Sequence, residues 1–239
     1  MGIKVALHNL GCKVNAYEVE AMQQLLEEAG YDIVPFEPGA DVYLINTCTV
    51  TNIADRKSRQ MLHKAKKMNP DAIVVATGCY VQTDEGKLDK DEAVDLILGN
   101  NQKGNIVQVL QEYEQQHTKQ KHVLNINQTK EYEELAINHT AEHVRAYIKV
   151  QDGCNQFCTY CIIPYARGRV RSRKIAQAMD EVRALAAKGY KEVVLTGIHL
   201  SSYGVDFPEE ERETLLSLIQ SVHEVEGVER IRLGSLEPR

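Results

Sequence analysis

"GCNQFCTYCIIPYARG", residues Gly153 to Gly168, carries Cys154, Cys158 and Cys161 within eight positions and no fourth cysteine to complete a set. Structural zinc takes four ligands, commonly in Cys-x2-Cys pairs, so zinc would need a distant fourth residue here. Three thiolates from one loop can instead hold three irons of a [4Fe–4S] cluster and leave the fourth iron without a protein ligand. A molecule with both an amine and a carboxylate can chelate that open iron. S-adenosylmethionine (SAM) has both, and an electron from the cluster could break its C–S bond to give a 5′-deoxyadenosyl radical. The protein's part would be to orient the cofactor and exclude water.

The flanking pattern places this loop in a fold. A strand, "VRAYIKVQDGC", runs into it. After it come a helix "KIAQAMDEVRALAAKG", a strand "KEVVLTG", a helix "EERETLLSLIQSVHEV" and a strand "ERIRLGS", and the sequence stops at "LEPR". Strand–helix units opening on a strand that ends at the cysteine loop are the beginning of a (β/α) barrel. Residues 116–143 are polar and break the alternation. They read as a linker with a hairpin and one short strand at Val123 to Ile126. Upstream, "KVALHNL", "ADVYLINT", "AIVVATG" and "VDLILGN" alternate with helical stretches, including "NAYEVEAMQQLLEEAG" and "DRKSRQMLHKAKKMN". That alternation predicts an α/β fold with a flavodoxin-like open parallel sheet over residues 1–115.

The other three cysteines, Cys12, Cys48 and Cys79, each follow one of these strands, in "LGC", "NTC" and "TGC". The C-terminal ends of parallel strands share one edge, where ligands bind, so residues dozens of positions apart are expected to meet there. Small buried core residues would explain one such cysteine but explain three at equivalent positions poorly. A second three-ligand [4Fe–4S] cluster accounts for all three.

The chain has 239 residues, 43% hydrophobic and 26% charged, which allows a packed core and argues against wholesale disorder. A net charge of -6 argues against a surface that grips nucleic acid everywhere. Two stretches are locally basic: Asp55 to Lys67, and Tyr165 to Lys174 with Arg167, Arg169, Arg171 and Arg173. No apolar run is long enough to span a membrane, and the N-terminus reads as a strand rather than an export signal. Six cysteines in that setting point to reduced thiols in a cytoplasmic protein. A monomer is expected.

Cys-x3-Cys-x2-Cys after the first strand of a partial barrel resembles the signature of radical-SAM enzymes. Together with "GCKVN", "NTC", "GCY" and "GCNQFCTYCIIPYARGRVRSR", the chain resembles their methylthiotransferase family over its whole length. The resemblance implies a cluster domain at 1–115, a radical-SAM core at 144–239, two [4Fe–4S] clusters, and SAM used both as methyl donor and as radical source. The product would carry a methylthio group on an otherwise inert carbon. By the same resemblance Tyr160, Thr196, Gly197, Ser235 and Glu237 are candidate SAM contacts. The four arginines from Arg167 to Arg173 are candidate RNA contacts, though they could equally bind the SAM carboxylate or buttress the cluster. Lys13-Val14-Asn15 is most similar to the branch acting on N6-threonylcarbamoyladenosine beside the anticodon of tRNA. Other branches modify isopentenyladenosine in tRNA or a ribosomal-protein aspartate. A non-catalytic iron–sulfur carrier and a zinc-stabilised RNA-binding protein are the alternatives from other classes. The partners implied are tRNA and an electron donor that the sequence does not identify, with no membrane and no DNA. Family members continue through the rest of the barrel to a small RNA-binding β-barrel called TRAM, and this sequence stops before both.

Overall fold

The structure, a computed structural model, describes residues 2–140, 145–234 and 236–237. The first half runs β1 (Lys4–Asn9), α1 (Lys13–Glu28), β2 (Asp32–Val34), β3 (Val42–Thr47), α2 (Asn52–Met68), β4 (Ile73–Gly78), α3 (Cys79–Asp89), β5 (Leu96–Leu98), α4 (Ile106–Gln116) and β6 (Gln120–His122). The strands form one sheet in the order β2-β1-β3-β4-β5-β6, with every pairing parallel. This is the flavodoxin-like order, whose switch point lies between β1 and β3. All six residues of β3 are buried, as befits a central parallel strand with helices on both faces. Met22 and Leu26 of α1 pack with Ile106, Val109 and Leu110 of α4 on one face. Leu62 and Ala65 of α2 and Tyr80, Val81 and Leu88 of α3 cover the other.

The second half runs β7 (Arg145–Lys149), β8 (Gln151–Asp152), α5 (Ile163–Ala166), β9 (Arg171–Ser172), α6 (Ile175–Ala187), β10 (Glu192–Thr196), α7 (Leu215–His223) and β11 (Arg230–Leu233). The order β11-β10-β7 is parallel throughout, and β8 and β9 pair antiparallel beside the cysteine loop. These are the opening strand–helix units of a barrel. Helix α7 starts at Leu215, later than expected from the stretch "EERETLLSLIQSVHEV". Thr214 and Ser217 form a reciprocal capping box there, which satisfies two otherwise orphaned backbone donors. The acidic residues before it make only one 3-10 turn, Glu209–Glu211.

The segment expected to be a linker with a hairpin differs from that reading. Its strand, β6, lies at Gln120–His122 rather than Val123 to Ile126 and pairs in parallel with β5, so it extends the first sheet instead of folding back on itself. Farther along, Leu135 and Ile137 are buried in the second core together with Tyr17 and Ala21 of α1. The Tyr17 hydroxyl donates to the Leu135 carbonyl, and Gln24 Nε2 donates to the His139 carbonyl at 2.7 Å. The two halves therefore share packing through α1. The domain boundary expected at 143/144 lies outside the described residues, among which no helix is long and apolar enough to cross a membrane.

Candidate functional site

Cys12, Cys48 and Cys79 stand just past β1, β3 and β4, on one edge of the sheet. Cys12 is exposed, whereas Cys48 and Cys79 are buried. Cys12 caps α1 and Cys79 opens α3, so both sit where helix dipoles favour a thiolate. Two glycines allow the sulfurs to approach. Gly11 has φ +110°, and a Cβ there would stand 3.0 Å from Cys48 Sγ. Gly78 has φ +97°, and a Cβ there would stand 2.5 Å from the Thr47 carbonyl oxygen. Asn15 ties the turns together, donating from Nδ2 to the carbonyls of Leu10 at 2.7 Å and Thr47 at 3.0 Å. Burial pushes the Cys48 thiol up and the Val50 N–H pulls it down, while the nearby Cys79 and Cys12 sulfurs add to the rise.

Cys154, Cys158 and Cys161 form the second trio, respectively buried, exposed and half-buried. Gly153 has φ +71°, and a Cβ there would come within 1.9 Å of the Arg169 carbonyl oxygen, so only glycine lets β8 and the end of the loop close together. The Cys154 N–H donates to the Gly168 carbonyl at 3.0 Å and closes the loop. Burial lifts the Cys154 thiol, the Gln156 N–H lowers it, and Cys161 and Cys158 lift it further. Among the described residues no three His, Cys, Asp or Glu side chains converge closely enough to hold a single metal ion. A cubane cluster takes each thiolate on a different iron, so three thiols without a fourth are a donor set that suits such a cluster, whereas structural zinc takes four ligands.

Of the candidate SAM residues, Tyr160, Thr196, Gly197 and Glu237 are described. Thr196 is buried at the end of β10, and Gly197 follows it. A Cβ on Gly197 would lie 2.7 Å from Gln151 Oε1. Gln151 Nε2 donates to the Asp152 and Gly153 carbonyls, and its Oε1 accepts the His199 N–H at 2.8 Å. The end of β10 is thus tied to the start of the cysteine loop. Glu237 Oε2 lies 2.8 Å from His199 Nε2, and its charge reaches Cys154. Tyr160 is 91% exposed. Ser235 lies outside the described residues.

The arginines require a correction. Arg167, Arg171 and Arg173 are 0%, 1% and 3% exposed, and their guanidinium groups face protein carboxylates, so they do not present themselves to RNA. Arg173 pairs with Glu181 and with Glu134. Arg167 grips both Glu18 oxygens, at 2.5 and 3.0 Å. It also donates to Asn15 Oδ1 at 2.5 Å and, from Nε, to Cys79 Sγ at 3.2 Å. Only Arg169 is exposed, stacked 4.3 Å over the Phe157 ring. The other exposed cations of note are Arg56, Lys57, Arg59, Lys64 and Lys67 of α2, which begins four residues after Cys48.

Around Arg167 lies a buried ion network across the seam of the two halves. Glu18 also receives Lys149 at 2.9 Å and Lys103 at 3.1 Å. Asp152 receives Lys149 at 2.7 Å and Arg167 at 3.2 Å. Burial alone would raise the Glu18 carboxyl, but Arg167, Lys103 and Lys149 hold it well below its usual range. Asp152 is likewise depressed against its burial by Lys149, Arg167 and Arg171. Sequence reading missed Glu18, Lys103, Lys149 and Asp152, as well as Gln151 and His199. The one available signal was a lone charge on an otherwise apolar helix face or strand.

The class is set by two matches. Residues 4–99 match Uncharacterized protein family UPF0004, and residues 148–233 match the Radical SAM superfamily. The chain is 45% identical over 98% of its length to the "Threonylcarbamoyladenosine tRNA methylthiotransferase MtaB" of Bacillus subtilis (strain 168), covering 51% of that protein. Identity is also 45% to the protein of that name from Aquifex aeolicus (strain VF5), covering 56% of it. It is 33% to a "tRNA-2-methylthio-N(6)-dimethylallyladenosine synthase" of Carboxydothermus hydrogenoformans, covering 52%. Among solved structures, the radical S-adenosylmethionine methyltransferase TsrM from Kitasatospora setae, with cobalamin and [4Fe-4S] cluster bound, aligns with a TM-score of 0.56 at 16% identity. The alignment covers 84% of this chain and 50% of that one, a likeness of fold. Over nearly its whole length the chain is therefore similar to radical-SAM methylthiotransferases, with one domain match in each half. It spans about half the length of the curated relatives it matches.

Proposed function

We propose that this chain is the cluster-bearing part of a radical-SAM methylthiotransferase that modifies N6-threonylcarbamoyladenosine beside the anticodon of cytoplasmic tRNA. One observation carries the reading: two separate trios of thiols, with Arg167 from the end of the second trio's loop donating directly to a sulfur of the first. Cys154, Cys158 and Cys161 would hold a [4Fe–4S] cluster with SAM, and Cys12, Cys48 and Cys79 a second cluster. When bound, these groups supply the adenosyl radical, the methyl group and the sulfur. The protein's own part is positional. Gln151 joins the turn after β10, where Thr196 and Gly197 lie, to the start of the cysteine loop, which supports a role for both residues at the SAM site. Glu237 is held by His199, and its charge is felt at Cys154. Arg169 and the exposed cations of α2 are surface groups accessible to a phosphate backbone.

The choice of N6-threonylcarbamoyladenosine is supported by the higher identity to the MtaB relatives than to the dimethylallyladenosine synthase. Nucleoside mass analysis of tRNA from a strain lacking the gene tests it. Loss of the methylthio group from N6-threonylcarbamoyladenosine is expected, and loss from isopentenyladenosine instead would overturn the substrate. Anaerobic reconstitution is expected to load about eight irons per chain. About four would remove the second cluster.

A further inference from the structure

The buried seam is not charge-balanced. Lys103, Lys149, Arg167 and Arg171 are all 1% exposed or less, and the buried carboxylates facing them are Glu18 and Asp152. Four cations against two anions leave two positive charges in excess. Glu133, half-buried and already accepting the Gly104 N–H, would offset at most one of them. The excess is visible in single atoms as well. Arg171 Nε and Nη2 are buried with no hydrogen-bond partner, the nearer Asp152 oxygen being 3.7 Å from Nη2. Buried charge without a partner is expensive, so a seam built this way calls for an anion beside it.

The neighbour on the first-sheet side is Cys79. Arg167 Nε lies 3.2 Å from its sulfur. Asn100, whose side-chain oxygen accepts Lys103 Nζ at 2.5 Å, points its amide nitrogen at the same sulfur from 3.9 Å. A [4Fe–4S] cluster on three thiolates is an anion, and it gains a further negative charge on reduction. Hydrogen bonds to its sulfurs and nearby net charge set its potential.

We infer that the seam is the built-in counter-charge of the first cluster, and that Arg167 is a positioning residue that holds Cys79, raises that cluster's reduction potential and locks it against the second cluster's loop. The inference rests on the two-cluster reading above. It makes the loop of one trio a determinant of the electronic state of the other.

The test uses the full chain with Cys154, Cys158 and Cys161 all changed to Ala, so that only the first trio can hold iron. Native Arg167, Arg167→Lys and Arg167→Met are compared. The readouts are the midpoint potential from a dithionite titration followed by electron paramagnetic resonance, the rate of iron release to a chelator, and melting temperatures with and without iron. Arg167→Met is expected to shift the potential to more negative values, to release iron about tenfold to a hundredfold faster, and to narrow the melting-temperature gap between loaded and iron-free protein. Arg167→Lys, which keeps the charge and loses the forked geometry, is expected to fall between. If Arg167→Met does not fold, Lys103→Met is expected to move the potential the same way by a smaller amount. Unchanged potential and release in the variants, or equal loss of stability with and without iron, would overturn the inference and leave the first cluster standing. Failure of the native-Arg167 background to take up iron at all would instead remove the two-cluster reading and this inference with it.

Discussion

The two cysteine trios are the same chemistry assembled in opposite ways. Cys154, Cys158 and Cys161 come from one loop, so their proximity is a local property of eight residues closed by the Gly153–Arg169 contact. Cys12, Cys48 and Cys79 come from three strand ends and meet only because β1, β3 and β4 lie side by side in register. The first trio is therefore as stable as the sheet, and the second only as stable as its loop. The local trio contains the exposed Cys158, and Phe157, Tyr160 and Tyr165 in the same stretch of chain are also exposed. The sheet trio has two buried members and hydrogen-bond donors aimed at Cys79.

The sharpest way to break this comparison is to remove one member of each trio. Cys158→Ala is expected to abolish SAM cleavage by dithionite-reduced protein while about half the iron remains. Cys48→Ala is expected to keep SAM cleavage, lose the other half of the iron, and stop methylthio transfer when placed in the full-length protein. Iron analysis and product chromatography on the two variants check both outcomes. Next in size is Glu18→Gln, which leaves three buried cations without their shared carboxylate. A loss of about 3–5 kcal/mol is expected by denaturant titration. Close behind come two glycine changes. Gly78→Ala meets the Thr47 backbone and Gly153→Ala the Arg169 backbone, each at a positive φ. Each is expected to cost about 3 kcal/mol. If the trios differ as described, Gly78→Ala loses iron from the first trio and Gly153→Ala from the second, as electron paramagnetic resonance on the two variants would show.

The most gradual effect is that of acid. Glu18 and Asp152 are held below the ordinary carboxylate range in the folded state. The stability they contribute is complete above that range and declines as pH falls below about 4–5, continuing downward because the folded values lie lower still. Glu181, pushed up by burial although Arg173 opposes it, works in the other direction. Thermal melts from pH 7 to pH 3 are expected to show a steady decline, and Glu18→Gln is expected to flatten it.

The sequence exposed the strand ends well because "LGC", "NTC" and "TGC" each close an apolar run long enough to be a buried strand. It hid three elements for different reasons. β2 and β6 are three-residue edge strands, too short for a period to show. α3 opens directly on Cys79 and is kinked at Asp84, so its apolar residues do not repeat evenly. The arginine run misled because its local pattern is that of a solvated basic strand. What buries Arg167 is Glu18, 149 positions earlier, and no window along the chain contains both. The six cysteines were legible as two sets from position alone. The charges that join them were not, because a buried ion pair depends on partners that only the fold brings together.

Helix α1 has a consequence for how the molecule can be divided. One flank of it closes the first sheet with Met22 and Leu26, and the other seats Tyr17 and Ala21 in the barrel half. A protease cut or a gene split in the connecting segment would not yield two self-sufficient pieces. The amino-terminal piece would carry a greasy stripe into water, with Glu18 stripped of Arg167 and Lys149 and left to Lys103 alone, and the carboxy-terminal piece would have a hole in its floor. Melting of the intact chain should accordingly register as one event.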